Sequence, residues 1–587
     1  MLLKILCYLL PEFLVDLTFV TLLLGLVGTV LVLRWMSEKR TKIKIERAKT
    51  QRDSALEMME KMTLRCKTRH GHTDSSRILS LPLAELVEEL KKGSLSPEAV
   101  LHVYVEKALE VTKEVNCVTD FLADCETQLQ EVKKQQEKGL LYGVPISLKD
   151  DVGYKGHNST LGLVHFLGVD EAVDSVIVQV LKKQGAIPFV KTNVPQSLIN
   201  FDCSNSIYGQ TLNPHNHKKT CGGSSGGEGA LIAGGGTILG VGSDVLGSIR
   251  MPSSFCGICG FKPSGDRLSA RGFCSPVSGM KSAVSMPGPM ARDVDSLALF
   301  MKAVLCDDLF QLDPTVPPVP FKDEIYNSSK RLTIGFFDTD GYFLPHPSMR
   351  RAIQETKTLL EEAGHTLVPF TPPRIEYALN ELCLRGFFAD GGTTLVDKFK
   401  CDIVDPNLKQ QIFLYNIPNI VKKIVSIFMR PMFPRIANHL EAHCGVGSVK
   451  DLWKHYTAIK EYRCNFINEW KKLGLDALLC PMLSPAFNIG HPGKLFAGFS
   501  FTMLYNILNF PAGVLPVTTV TPEDEEELKH YKGYYNDLWD KEFIKGVEGG
   551  VGLPVSVQCV ALQWQEEQCL RLMKEVETVS RGHKIHP

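Results

Sequence analysis

The first hydrophobic feature of the chain is an uncharged, apolar run at residues 17–33, 17 residues long and preceded by Phe13, Leu14 and Val15. At about 1.5 Å per residue, a helix of that length crosses most of a bilayer core. Arg34 and a basic stretch (Lys39, Arg40, Lys42, Lys44, Arg47, Lys49) follow it, where a cleaved leader would place small residues. The pattern predicts a retained, single-pass anchor. Glu12 and Asp16 stand before the run and the cations after it, so the positive-inside tendency puts the rest of the chain in the cytosol.

Residues 37–78 have helix-forming composition with many charges and no strong apolar face, which predicts a helical stalk. The body begins near Leu79. Ser96-Pro97-Glu98 reads as a helix start, with a capping serine and a proline where its missing N–H costs nothing, and Gly93 ends the helix before it. Strand patterns at 144–148, 187–190, 332–337 and 366–370 alternate with helical ones at 174–184 and 348–363, which Gly185 and Gly364 close. Such alternation predicts an α/β body, residues 79–587, built on a mixed, largely parallel sheet covered by helices. A second apolar stretch, residues 412–433, interleaves Ile417, Ile420, Val421, Ile424 and Phe428 with Lys422, Lys423 and Arg430. It fits either a membrane interface or two core helices parted by Pro431 and Pro434, and those prolines argue against a full span.

Charge excludes one class of partner: 65 basic residues balance 65 acidic ones, so no global field recruits nucleic acid. Seventeen irregularly spaced cysteines in a chain this long read as reduced thiols, in keeping with a cytosolic body. Cys256 and Cys259 have a redox or half-zinc spacing but lack a second pair, so neither a metal nor a cofactor is expected.

The most informative segment is residues 221–252, CGGSSGGEGALIAGGGTILGVGSDVLGSIRMP. Glycines in this density allow close backbone approach and turn amides towards an anion. Neither a dinucleotide fingerprint nor a Gly-Lys-Ser phosphate loop is present. Gly222-Gly223-Ser224-Ser225-Gly226 matches the GxSxG elbow, which would make Ser224 a nucleophile with a distant histidine such as His365, His439 or His491. A polar stretch precedes that elbow where a strand should stand.

Taken whole, with Gly143-Val144-Pro145-Ile146-Ser147-Leu148-Lys149 upstream, the segment resembles the amidase signature family. The resemblance runs over nearly the whole chain and is strongest to the branch that acts on fatty acid amides. It implies a Ser-Ser-Lys triad of Lys149, Ser224 and Ser248, acting on fatty acid primary amides and N-acylethanolamines. Ser248 would be the nucleophile, Ser224 a bridge and Lys149 the base. The chemistry needs a neutral lysine, whose pKa must fall from about 10.4 towards neutrality, at a cost of roughly 4 kcal/mol that burial can supply. The backbone N–H groups of Val245, Leu246, Gly247 and Ser248 would hold the oxyanion. Asp244 and Arg250 would brace that loop, and Leu198, Ile199, Phe201 and Trp539 would border the acyl chain. The resemblance further implies a membrane-binding cap near residues 408–437, a homodimer, and a membrane location for which endoplasmic reticulum is preferred and mitochondria are possible.

One position departs from the family pattern Asp-x-Gly-Gly-Ser: Leu246 stands where the first glycine is normal. If the backbone there has a positive φ, leucine costs about 1 to 2 kcal/mol, and its side chain would crowd the oxyanion pocket. A second hypothesis is therefore a catalytically weakened relative that serves as a membrane-associated binding partner.

Overall fold

The computed structural model describes residues 2–70, 74–400 and 402–582. Its central sheet is formed by β1 (Val118–Phe121), β2 (Pro145–Lys149), β3 (Ile187–Thr192), β4 (Leu239–Asp244), β5 (Cys259–Lys262), β6 (Met286–Ala291), β7 (Thr333–Phe336), β8 (Thr366–Pro369), β9 (Ala477–Pro481), β10 (Ala512–Thr519) and β11 (Pro554–Val560). Their order across the sheet is β1-β3-β2-β4-β6-β5-β10-β11-β9-β7-β8. Every residue of β2, β3, β4 and β11 is buried, as both faces are covered by helices.

The expected α/β class holds, with one correction to the sheet. The pairs β2–β3, β2–β4, β7–β9 and β7–β8 are parallel, but the contacts through the middle, from β4 to β6, β5, β10, β11 and β9, are antiparallel. Helical patterns alternate with strands only at the flanks, so only the parallel ladders show in the sequence. Local signals are realised closely: Ser96 Oγ accepts the Ala99 N–H at 3.1 Å and opens the helix Pro97–Val115, while Gly93 closes the previous helix at φ 80°.

The first helix, Leu2–His70, is continuous. Its apolar side chains from Val20 to Leu33 are largely exposed, as suits a span surrounded by lipid. Further along, Thr41, Ile45, Ala48, Ala55, Met59 and Met62 are buried, and this part of the helix packs on Pro97–Val115 and β1. The segment expected to be a helical stalk is docked on the body along this part of the helix. One buried residue in every three or four makes a stripe too narrow to stand out among so many charges.

In the second apolar stretch, Pro406–Asn416 and Asn419–Met429 meet at a 96° bend. Their polarity is the reverse of a core pair. Phe413, Ile420, Ile427 and Phe428 face outward, Phe428 with 76% exposure, whereas Lys422 and Ser426 are buried. Lys422 Nζ donates to the Tyr415 carbonyl at 3.2 Å.

Candidate active site

The site lies where β2 and β4 end side by side, at the carboxyl edge where α/β sheets place their ligands. Lys149 is the last residue of β2 and is fully buried. Its Nζ donates to Ser224 Oγ at 2.8 Å and to Ser243 Oγ at 2.7 Å, and stands 3.4 Å from the Ser243 carbonyl. Asp151 Oδ2 lies 3.4 Å from the same nitrogen and accepts the Ser243 hydroxyl at 2.5 Å. Four oxygens thus surround the amine nitrogen and fix where it points. Neither Ser243 nor Asp151 is among the site residues expected from sequence. Ser243 has no motif of its own, and it is the pairing of β2 with β4 that sets it against the lysine.

Ser224 follows a cis Gly223–Ser224 peptide and leads into the helix Gly226–Ala233. The next residue joins the two serine loops, since the Ser225 N–H donates to the Ser248 carbonyl at 3.0 Å. One turn into the helix, Glu228 lies beneath the lysine strand, accepting from Ser147 Oγ at 2.5 Å and Thr192 Oγ1 at 2.9 Å. Burial pushes its carboxyl up to about 8, against the pull of those hydrogen bonds and of Lys149.

The loop from Asp244 to Arg250 is braced as expected. Both side chains are fully buried and paired, with Arg250 Nε donating to Asp244 Oδ2 at 3.0 Å. Asp244 also accepts the N–H groups of Gly247 at 2.8 Å and Ile249 at 3.1 Å. Burial alone would raise its carboxyl, but the Arg250 guanidinium outweighs that and holds it far below the usual range. Arg250 continues to the Thr502 carbonyl and to Asn506 Oδ1, so the helix Ser500–Ile507 is bolted to the loop. The bond to Asp244 withdraws the Gly247 N–H from the expected oxyanion donors and leaves those of Val245, Leu246 and Ser248.

The feared strain at Leu246 is absent. The positive φ in this loop falls on Gly247, at 126°, where an added Cβ would lie 2.4 Å from Thr502 Oγ1. Leu246 is 5% exposed and packs into the main core, and its carbonyl accepts Thr502 Oγ1 at 2.6 Å. In front of the loop a cavity of about 750 Å³ is lined by Asp151, Leu198, Ile199, Ser243, Val245 and Ser248 among others, but not by Leu246. Of the other residues expected along an acyl chain, Phe201 packs against the Phe499 ring and Trp539 lines a different cavity. The histidines of the elbow reading are engaged elsewhere: His365 accepts from the Leu332 N–H, His439 packs on Trp539, and His491 pairs with Glu542.

Comparison with known proteins agrees with this architecture. The Amidase family pattern matches residues 99–570. The chain is 51% identical to fatty-acid amide hydrolase 1 of Sus scrofa over 94% of its own length and 95% of the relative's. It is 61% identical to the vitamin D3 hydroxylase-associated protein of Gallus gallus over 74% of its length and 94% of that protein's. Among solved structures, one of fatty acid amide hydrolase superposes with a TM-score of 0.77 at 24% identity, covering 93% of this chain and 96% of that one, which speaks for the fold. The chain belongs to the amidase signature family, as a hydrolase of amide bonds.

Proposed function

We propose that the protein is a membrane-bound serine hydrolase of fatty acid primary amides and N-acylethanolamines, with Ser248 as nucleophile, Ser224 as proton bridge and Lys149 as base. The observation that carries this reading is the buried Lys149 Nζ, 2.8 Å from Ser224 Oγ, behind a cavity onto which Ser248 opens. With the amine neutral, Ser248 Oγ attacks the amide carbon while its proton passes to Ser224 and that of Ser224 to Lys149. The oxyanion is held by backbone N–H groups of Val245, Leu246 and Ser248, and one such donor is worth about 3 to 4 kcal/mol. The lysine returns the proton through Ser224 to the leaving nitrogen, and water releases the fatty acid from Ser248.

The substrate class follows the 51% identity to a fatty-acid amide hydrolase, and the lining by Leu198, Ile199 and Val245 suits a hydrocarbon chain. In this reading residues 1–36 anchor the protein, the outward-facing helices near 408–437 rest on the membrane, and the body from 79 to 587 is cytosolic, on endoplasmic reticulum in preference to mitochondria. A homodimer completes the arrangement. A second reading, a weakened homologue acting as a membrane-associated partner, is favoured by the 61% identity to a hydroxylase-associated protein. Labelling of the purified protein with a fluorophosphonate, alongside release of oleate from oleamide, separates the two. Labelling and hydrolysis that disappear in Ser248→Ala and Lys149→Ala are the expected result. A folded wild-type protein that neither labels nor hydrolyses would establish the partner role instead.

A further inference from the structure

Asp151 stands two residues beyond the end of β2, in the turn closed by the Val152 N–H on the Lys149 carbonyl at 2.9 Å, and only 3% of its side chain is exposed. Among the described residues its carboxylate accepts one hydrogen bond, from Ser243 Oγ at 2.5 Å, and makes one ionic contact, with Lys149 Nζ at 3.4 Å. Taking a carboxylate out of water is costly, and a single hydrogen bond offsets little of that.

What the pair fixes is the direction of hydrogen bonding around the base. A carboxylate has acceptors only, so the hydrogen of the Ser243 hydroxyl points at Asp151. Ser243 Oγ then meets Lys149 Nζ, 2.7 Å away, as an acceptor. The Ser243 carbonyl and Asp151 Oδ2, both at 3.4 Å, can only accept as well. Of the four oxygens round the amine, Ser224 Oγ at 2.8 Å is alone in having a hydrogen to give it. A neutral amine carries two N–H donors and one lone pair, and the proposed reaction needs that lone pair turned to Ser224. With Ser243 committed to Asp151, no other oxygen can claim it.

We propose that Asp151 is a positioning residue for the base: through Ser243 it turns the Lys149 lone pair towards Ser224, the part a third group plays wherever a base must be held in one orientation. The inference rests on the Ser-Ser-Lys reading above and extends it by Ser243 and Asp151. Asp151 acts through its neighbours and takes no proton itself. Without the carboxylate, the Ser243 hydroxyl is free to turn its hydrogen on the amine, where it competes with Ser224 for the lone pair.

The test measures kcat and KM for oleamide with the full-length protein, on the alkaline plateau of the pH profile so that the amine has the same charge in every variant. Active sites are counted by fluorophosphonate titration, so that only folded enzyme enters the comparison. Asp151→Asn should lower kcat about fivefold or more, the weight of one hydrogen bond, with KM within about twofold of the wild type. Asp151→Ala frees the hydroxyl without adding a donor; it should do the same, and it stands in if the asparagine variant does not fold. The rate of labelling, which needs an activated Ser248 but no leaving amine, carries the same comparison and decides the case if oleamide is not turned over. A second substitution separates this role from support of the fold. Ser243→Ala removes an acceptor from the wild-type network and should slow the reaction, but in Asp151→Asn it removes the competing hydrogen and should speed it about threefold or more. Rates unchanged in both Asp151 variants, or a Ser243→Ala change that slows Asp151→Asn further, would overturn the proposal and leave the Ser-Ser-Lys reading standing. A folded wild-type protein that neither labels nor hydrolyses removes that reading and this one with it.

Discussion

Restoring glycine at position 246 sets the geometry of the nucleophile loop against the family pattern. If Leu246 obstructs the oxyanion pocket, Leu246→Gly should speed the reaction, tenfold for each 1.4 kcal/mol of relieved crowding. The structure gives the opposite expectation. The side chain is 5% exposed and belongs to the main core, and the positive φ is carried by Gly247. Removing a buried leucine side chain costs about 2 to 5 kcal/mol through lost transfer energy and the cavity left behind. Glycine adds up to about 1 kcal/mol of backbone entropy. Because the Leu246 carbonyl also accepts from Thr502, greater freedom at 246 loosens the loop that carries the oxyanion donors. The variant should label with fluorophosphonate no faster than the wild type, hydrolyse oleamide no faster, and lose activity much sooner at raised temperature. A variant tenfold faster, with an unchanged inactivation half-life, would refute this account of Leu246.

Three further outcomes follow from the same structure. Asp244→Asn leaves the fully buried Arg250 without its carboxylate, so stability should drop by about 3 to 5 kcal/mol, and Arg250→Met in the same chain should recover more than 1 kcal/mol of it in denaturant melts. The Glu228 carboxyl, raised to about 8 from an unfolded value of 4.5, keeps a proton that the unfolded chain releases. Its stabilisation is complete below pH 4.5 and is lost as pH rises through 8, at up to about 1.4 kcal/mol per unit, and Glu228→Gln should flatten that decline in melting temperature between pH 5 and 8. Finally, a chain lacking residues 1–36 should still sediment with phospholipid vesicles, and Ile427→Glu with Phe428→Glu should weaken that binding by at least a hundredfold, at about 1.5 to 3 kcal/mol for each buried side chain.

The flanks of the sheet were legible because strand, helix and glycine stop recur there in short cycles, and capping at Ser96 and Gly93 is local chemistry. The central antiparallel strands were not. The segments Cys259–Lys262 and Met286–Ala291 are short and rich in glycine or proline, and their pairing is decided by partners far away in sequence. The same division runs through the site. Lys149, Ser224 and Ser248 stand in recognisable motifs, and Asp244 with Arg250 could be read as a brace from their charges beside the loop. Ser243 could not, because its place beside Lys149 is created by the β2–β4 pairing; Asp151 is brought back to the lysine by the turn after β2, closed by the Val152 N–H on the Lys149 carbonyl at 2.9 Å, and that turn has no motif of its own. Gly247 looked interchangeable with its neighbours until φ and the distance to Thr502 distinguished it.

The docked first helix carries a consequence for how lipid is found. Buried contacts begin at Thr41, and the apolar run ends at residue 33, so about seven helical residues, roughly 10 Å, separate the body from the end of the span. With that run in a bilayer, the body cannot wander on a tether; it is pressed to one surface and diffuses with it in two dimensions. A lipid amide dissolved in the same leaflet then need not enter water, and its density per unit area, rather than its concentration in solution, sets the rate of encounter.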